Sequence, residues 1–201
     1  MHTNPTIEAY NQYAHNYDEG VTTFWDNFPR TFIMAFVERT PGRRVLDVGS
    51  GSGRDAVLLR EQGLEVVCLD GSQTMIDMTT RLGFESVLSD FAYIDFPAAS
   101  FDGIWAYTSL IHIPKAEAQT IIGRLHGLLK PGGSFVMGAI EGESEGMVQH
   151  SSMPGAARYF KRYGKEELRQ MIEPLGFELV HAEDYQPHNS VYVNQLYIKS
   201  S

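Results

Sequence analysis

Val45-Leu46-Asp47-Val48-Gly49-Ser50-Gly51-Ser52-Gly53 is the stretch that decides the fold. Its first four residues form a short buried strand, and the alternating glycines make a turn that opens a helix through Ala56, Leu58 and Leu59, stopped at Gly63. Missing side chains at such a junction leave backbone N–H groups exposed and let a ligand approach the main chain closely. Nucleotide-like ligands suit this loop. The dinucleotide fingerprint needs glycine at 49, 51 and 54, yet position 54 is Arg54 and the third glycine is Gly53. The spacing therefore departs from that of the nicotinamide dehydrogenases.

Working outward, short apolar runs alternate with helical periodicity, the pattern of stacked βαβ units. Leu64 to Leu69 is the second strand. Ser72 caps a helix with Met75, Met78, Thr79 and Leu82 on one face, ended by Gly83. Ser86 to Leu88 and Phe101 to Thr108 are the third and fourth strands. Pro114 opens a helix whose apolar face is Ala118, Ile121, Ile122, Leu125 and Leu129, and Pro131-Gly132-Gly133 turns it into a fifth strand, Ser134 to Ile140. Glu141 to Gly164 is expected as a long connection anchored by Met147, Met153, Tyr159 and Phe160. A last helix, Lys165 to Leu175, precedes two strands, Phe177 to Tyr185 and Val191 to Ile198, close enough to form an antiparallel hairpin. The fold expected is thus α/β, a Rossmann-like sandwich whose mostly parallel seven-stranded sheet ends in an antiparallel hairpin. Residues 1–40 form an aromatic-rich helical cap, bearing Tyr10, Tyr13, Tyr17, Phe24, Trp25, Phe28, Phe32 and Phe36, and residues 41–201 the ligand-binding domain. These aromatics serve either to pack on the sheet or to cover the ligand.

The 201-residue chain has a formal charge of −9, the wrong sign for holding nucleic-acid phosphates, so a small-molecule partner is expected and no nucleic acid. A single cysteine, Cys68, lies within a buried strand and makes no internal disulfide; no Cys/His cluster has metal-ligand spacing, so no metal is expected. The N-terminus lacks a basic region followed by an apolar run, and no stretch approaches membrane-spanning length, which places the chain in the cytoplasm without membrane association, as a monomer or homodimer.

Asp70 ends the second strand beside the point where open α/β sheets bind ligands, and a carboxylate there accepts both hydroxyls of a ribose. Asp90 follows the third strand in the same way. Both also suit local capping of a turn. In this combination the chain resembles the class I S-adenosylmethionine-dependent methyltransferases, small-molecule branch. Asp47 before Gly49-Ser50-Gly51-Ser52-Gly53 resembles their first motif, Leu69-Asp70-Gly71-Ser72 the ribose motif, and Leu88-Ser89-Asp90-Phe91 the adenine segment. Phe101-Asp102-Gly103-Ile104-Trp105 resembles the fourth-strand motif, Leu128-Leu129-Lys130-Pro131-Gly132-Gly133 the turn after it, and Tyr13-Ala14-His15-Asn16-Tyr17-Asp18 the N-terminal motif.

The resemblance implies S-adenosylmethionine as cofactor. It implies that Asp47, Gly49, Ser50, Gly51 and Gly53 face its methionine part, that Asp70 and Gly71 hold the ribose, and that Asp90 and Phe91 flank the adenine. Tyr107, Thr108 and Tyr17 lie near the reacting methyl. His112, just beyond the fourth strand, is the candidate general base for a hydroxyl or protonated amine acceptor. His126, His150, His181 and His188 are expected to be solvated. Rival expectations are a protein that binds the cofactor without turning it over and a methyltransferase of tRNA or protein.

Overall fold

The structure, a computed structural model, describes residues 4–149, 153–187 and 189–200; His150 and His188 therefore lie outside the described residues. Helix α1 (Pro5–Asp26) is capped by Asn4, whose side chain accepts from the Thr6 N–H, and is kinked at Tyr13 (φ −116°, ψ 21°). After α2 (Arg30–Arg39) come β1 (Arg44–Val48), α3 (Arg54–Glu61), β2 (Glu65–Asp70), α4 (Gln73–Arg81) and β3 (Glu85–Leu88). Next are β4 (Phe101–Tyr107), α5 (Lys115–Leu128), β5 (Leu129–Ile140), β6 (Glu145–Gln149), β7 (Ala157–Lys161), α6 (Lys165–Ile172), β8 (Phe177–Tyr185) and β9 (Tyr192–Lys199).

Seven strands form one sheet in the order β3-β2-β1-β4-β5-β9-β8, parallel through β5 and antiparallel thereafter, as expected. The order reverses between β1 and β4, so a crevice opens beyond their carboxyl ends. Each face of the sheet is covered. On one side Ile122, Leu125, Phe135, Leu168 and Phe177 are buried under α5 and α6; on the other Phe32, Phe36, Leu59 and Trp105 are buried under α2 and α3. Each such side chain contributes about 1.5–3 kcal/mol by leaving water. Cys68 belongs to this second core, and burial pushes its thiol pKa up.

Three elements differ from expectation. Leu129 leaves the helix and pairs with Phe101 as the first residue of β5; the register then jumps to Ser134 opposite Gly103, so Lys130–Gly133 bulge from the ladder. The residue before a proline is pushed toward extended backbone, which ends the helix early. The last helix stops at Ile172 and tightens into a 3₁₀ turn over Glu173–Leu175, because Pro174 has no N–H to continue the α-helical ladder. Most importantly, the segment 141–164 is not a plain connection. It holds the β6–β7 hairpin, a separate two-stranded sheet, and whereas Met153 is buried, Met147 is half exposed rather than an anchor.

The aromatics of residues 1–40 divide by position. Phe28, Phe32 and Phe36 are buried against the sheet, Phe24 and Trp25 pack on Tyr107, and Tyr10 and Tyr17 face the crevice. Two histidines are less solvated than expected: His126 packs edge-on against Phe177, and half-buried His181 lies against Phe32.

Candidate functional site

The crevice at the strand switch is an open cleft that encloses about 850 Å³ when the solvent space of its mouth is included. Its floor is the turn after β1. Glycine is needed there because Gly49 and Gly51 have φ of +73° and +51°. A Cβ built on Gly51 would meet nothing closer than Tyr17 Cε1 at 3.8 Å, so the main chain lies bare toward the cleft. The backbone N–H groups, in contrast, are largely engaged within the protein. Gly49 and Ser50 donate to the Leu69 carbonyl (2.7 and 3.0 Å), Gly51 to Asp70 Oδ2 (2.9 Å) and Gly53 to the Ser50 carbonyl (2.9 Å). What the loop offers a ligand is close approach more than a nest of free donors.

Asp70, at the end of β2, accepts from Gly51 N–H with one oxygen and from Ser72 N–H with the other (2.8 Å). It thereby ties the turn after β1 to the start of α4. A carboxylate has about four acceptor positions, so two remain for a ligand in the cleft it lines. Burial raises its pKa, against the lowering effect of these N–H donors. Asp90 repeats the arrangement one strand out: Oδ1 accepts from Ala92 N–H (2.9 Å) and Oδ2 from Asn4 Nδ2 (3.3 Å), beside Phe91. Both aspartates therefore cap turns and line the cleft, and the two roles weighed from sequence are compatible. Gly71 lines it as well, with Ile7 of α1 so close that a Cβ would sit 2.7 Å from Ile7 Cδ1.

At the end of β4, Thr108 holds φ +51°, a conformation costly for a branched residue and kept by its N–H bond to the Gly138 carbonyl (3.0 Å). Tyr107 lies flat over Gly138 and Thr108 beside it, both bordering the cleft. Not every expected site residue is there. Asp47 is buried beneath the turn, on the α3 side of the sheet, where Asp55 accepts from Trp105 Nε1 (3.0 Å). Burial, together with the like charge of Asp55, holds the Asp47 carboxyl well above the usual range, and desolvation raises Asp55 to about 7. Ser50 borders a smaller recess of about 290 Å³ behind the turn, and Gly53 begins α3. Arg54 is gripped by Asp18 of α1 (2.7 and 2.9 Å) and bonded to Thr22 (3.0 Å), which pins the cap to the turn.

His112 lines the cleft with neither ring nitrogen free. Nδ1 donates to the Tyr159 carbonyl (2.7 Å), so in the neutral ring Nε2 is a lone pair, and the Tyr10 hydroxyl donates to it (2.9 Å). Arg158 Nη1 donates in turn to the Tyr10 oxygen (2.6 Å). Burial lowers the His112 pKa to about 4. From sequence Tyr10 is expected only as one of the cap aromatics that pack on the sheet or cover the ligand, and Arg158 is not expected as a site residue. Tyr10 stands seven residues, two helical turns, before Tyr17 and shares its face, a usable signal; Arg158 lies on β7, far off in sequence, and had none. Among the described residues no group of three or more His, Cys, Asp or Glu side chains is placed to hold a metal.

Residues 45–133 match the family model of the methyltransferase domain. Over these residues the chain is similar to a methyltransferase domain. Its sheet, with antiparallel end strands, is the Rossmann-like fold of the class I methyltransferases. The chain is 30% identical over 166 residues to a sterol 24-C-methyltransferase of Yarrowia lipolytica, a match covering 72% of the chain and 42% of that protein. It is 29% identical to a probable thiol methyltransferase 2 of Arabidopsis thaliana, over 83% of the chain and 74% of the relative. The Burkholderia thailandensis 1,6-didemethyltoxoflavin-N1-methyltransferase, solved with S-adenosylhomocysteine, superposes with a TM-score of 0.74 at 22% identity, covering 97% of this chain and 88% of that one. The chain spans about half the length of the sterol methyltransferases it matches.

Proposed function

We propose that the protein is an S-adenosylmethionine-dependent methyltransferase that methylates a small molecule. The observation that carries this is one cleft, at the β1/β4 switch, lined by the bare turn of Gly49 and Gly51 and by two carboxylates one strand apart. When bound, the cofactor supplies a sulfonium methyl that is already an activated electrophile. The residues fit it. Gly51 leaves room for its methionine part, Gly49 lets Ser109 and Phe91 pack tightly against the turn, and Ser50 borders the adjoining recess. Asp70, with two acceptor positions open, takes the ribose hydroxyls, Gly71 lets Ile7 of α1 close over that side, and Asp90 and Phe91 flank the adenine. Asp47 and Gly53 act beneath and behind the turn, shaping it without touching the ligand.

The protein's work is then to hold the acceptor in line and exclude water. Positioning supplies up to roughly 7–11 kcal/mol and a general base about 10²–10⁴ in rate. The first half of α1 roofs the cleft: Asn11 accepts from Ser72 and Thr74, and Tyr10 and Tyr17 stand over the end of β4. His112 provides proton acceptance at that end. The relatives' names span carbon and sulfur acceptors, so they leave the acceptor open. No described helix is long and apolar enough to cross a membrane.

Calorimetry with S-adenosylhomocysteine is the direct test, followed by transfer of labelled methyl from S-adenosylmethionine to a small-molecule extract. Binding at micromolar Kd with labelled small products is the expected result. Absence of binding heat overturns the cofactor assignment; binding without any labelled product leaves a cofactor-binding protein and overturns the enzyme.

A further inference from the structure

Around the Tyr10 hydroxyl the hydrogen bonds can be counted. A phenol has one donor and two acceptor positions. The donor goes to His112 Nε2, because Nδ1 must donate to the Tyr159 carbonyl, and one acceptor position is filled by Arg158 Nη1. Among the described residues no third partner takes the other. Tyr10 lines the cleft, at the same end as Thr108 and His112. The one vacancy is thus for a hydrogen donor, and an acceptor molecule that meets Tyr10 must bring the hydrogen.

Arg158 sharpens this. It is 7% exposed and held between the rings of Tyr10 and Phe160 (5.1 and 5.0 Å to the centroids), without an ion-pairing carboxylate among the described residues. The other buried cation of the hairpin, Lys161, pairs with Glu167 at 3.2 Å. A buried positive charge lacking such a pair favours negative charge on the oxygen it touches. Burial holds the Tyr10 phenol's pKa above its usual value in spite of Arg158, so the group is protonated at rest, and Arg158 steadies its oxygen only while its proton moves toward His112.

We infer that Tyr10 is the catalytic residue that takes the proton from the acceptor, with His112 and Arg158 as positioning residues behind it, and that the acceptor is a hydroxyl or thiol. This rests on the proposed methyl transfer. The X–H proton passes to the Tyr10 oxygen as the Tyr10 proton passes to His112 Nε2. The X–H electron pair stays on X and forms the bond to the methyl carbon, and the carbon–sulfur pair leaves with sulfur. Positive charge lost at sulfur reappears on the imidazole. A poorly basic His112 suits this class: an alkylated hydroxyl or thiol is a strong acid and gives up its proton readily, whereas an alkylated amine keeps it. An alkene carbon has no such hydrogen to present.

The test uses the full chain saturated with S-adenosylhomocysteine, titrated with phenol and with anisole, which differ by the hydrogen in question. Phenol is expected to bind at least about fivefold more tightly, and Tyr10→Phe, with unchanged affinity for S-adenosylhomocysteine, to abolish the preference; equal affinities in the wild type overturn the inference. Transfer to benzyl mercaptan, which keeps its proton at neutral pH, is expected to fall at least about a hundredfold in kcat in Tyr10→Phe. Transfer to 4-nitrothiophenol, already ionised, is expected to change less than about threefold. Equal losses on the two thiols, or transfer by the wild type to aniline or styrene but to neither thiol, overturn it. No transfer to any of the four with S-adenosylhomocysteine still bound overturns it too and leaves the cofactor assignment standing, whereas failure of that binding removes the cofactor reading itself.

Discussion

Replacing Asp70 by alanine removes two bonds, one across to the turn after β1, from Gly51 N–H at 2.9 Å, and one within its own turn, from Ser72 N–H at 2.8 Å. Hydrogen bonds to a charged group contribute about 1.5–3 kcal/mol each. Asp70 is only half buried, so water replaces part of this, and a total loss of about 2–3 kcal/mol is expected. For a chain of this length that corresponds to a fall in Tm of roughly 5–10 °C. The same carboxylate is assigned to the ribose, and loss of even one such bond weakens S-adenosylhomocysteine by about tenfold or more. Asp70→Asn is expected to fare little better, because its amide nitrogen faces one of the two backbone donors with a donor of its own. Differential scanning calorimetry and isothermal titration on the wild type and both variants separate the two roles. A lowered Tm with unchanged affinity refutes the ribose assignment; an unchanged Tm refutes the claim that Asp70 holds the turn.

Three further outcomes are expected. Asp18→Ala leaves Arg54 without its bidentate partner and costs about 1 kcal/mol in urea denaturation at low salt, with a smaller difference at 1 M salt; a salt-independent loss contradicts an electrostatic clasp. Asp47 and Asp55 both have folded pKa values above their unfolded ones, so their contribution to stability is complete below about pH 4 and is lost as pH rises, for Asp55 through about 7. His112 acts in the opposite sense, its contribution disappearing as pH falls from 6.5 toward about 4, so the deciding comparison is between wild type and Asp47→Asn, which should flatten the decline between pH 4 and 7. Parallel profiles for the two proteins contradict a buried Asp47 carboxyl whose pKa is raised by burial and by Asp55. Gly138→Ala places a Cβ 2.6 Å from Tyr107 Cε2 and should destabilise by about 1–3 kcal/mol in thermal unfolding, and a neutral substitution shows that the ring is free to move aside.

The parallel part of the sheet was legible because its determinants are local. Each strand is a short apolar run, and each turn carries a residue of special conformation, such as Ser72, whose hydroxyl caps α4 as its position suggested. The β6–β7 hairpin escaped because Gly146 and a polar, partly exposed β6 break the alternation that identifies a strand. Asp47 was grouped with the ligand residues because sequence places it two positions from Gly49, but strand alternation turns its side chain into the core beside Asp55. Position along a strand is readable; which face is occupied by solvent, ligand or another carboxyl depends on what packs there.

From sequence alone came the order of elements, the bare turn after β1 and the carboxylates at successive strand ends, all set by periodicity and by residues with few allowed conformations. The folded chain alone decided who stands at the acceptor end. Tyr10, His112 and Arg158 come from residues separated by 102 and 148 positions, and only packing of α1 and β7 around the tip of β4 brings their polar atoms within hydrogen-bonding distance. Such an encounter is a property of three-dimensional closure, which no local pattern encodes.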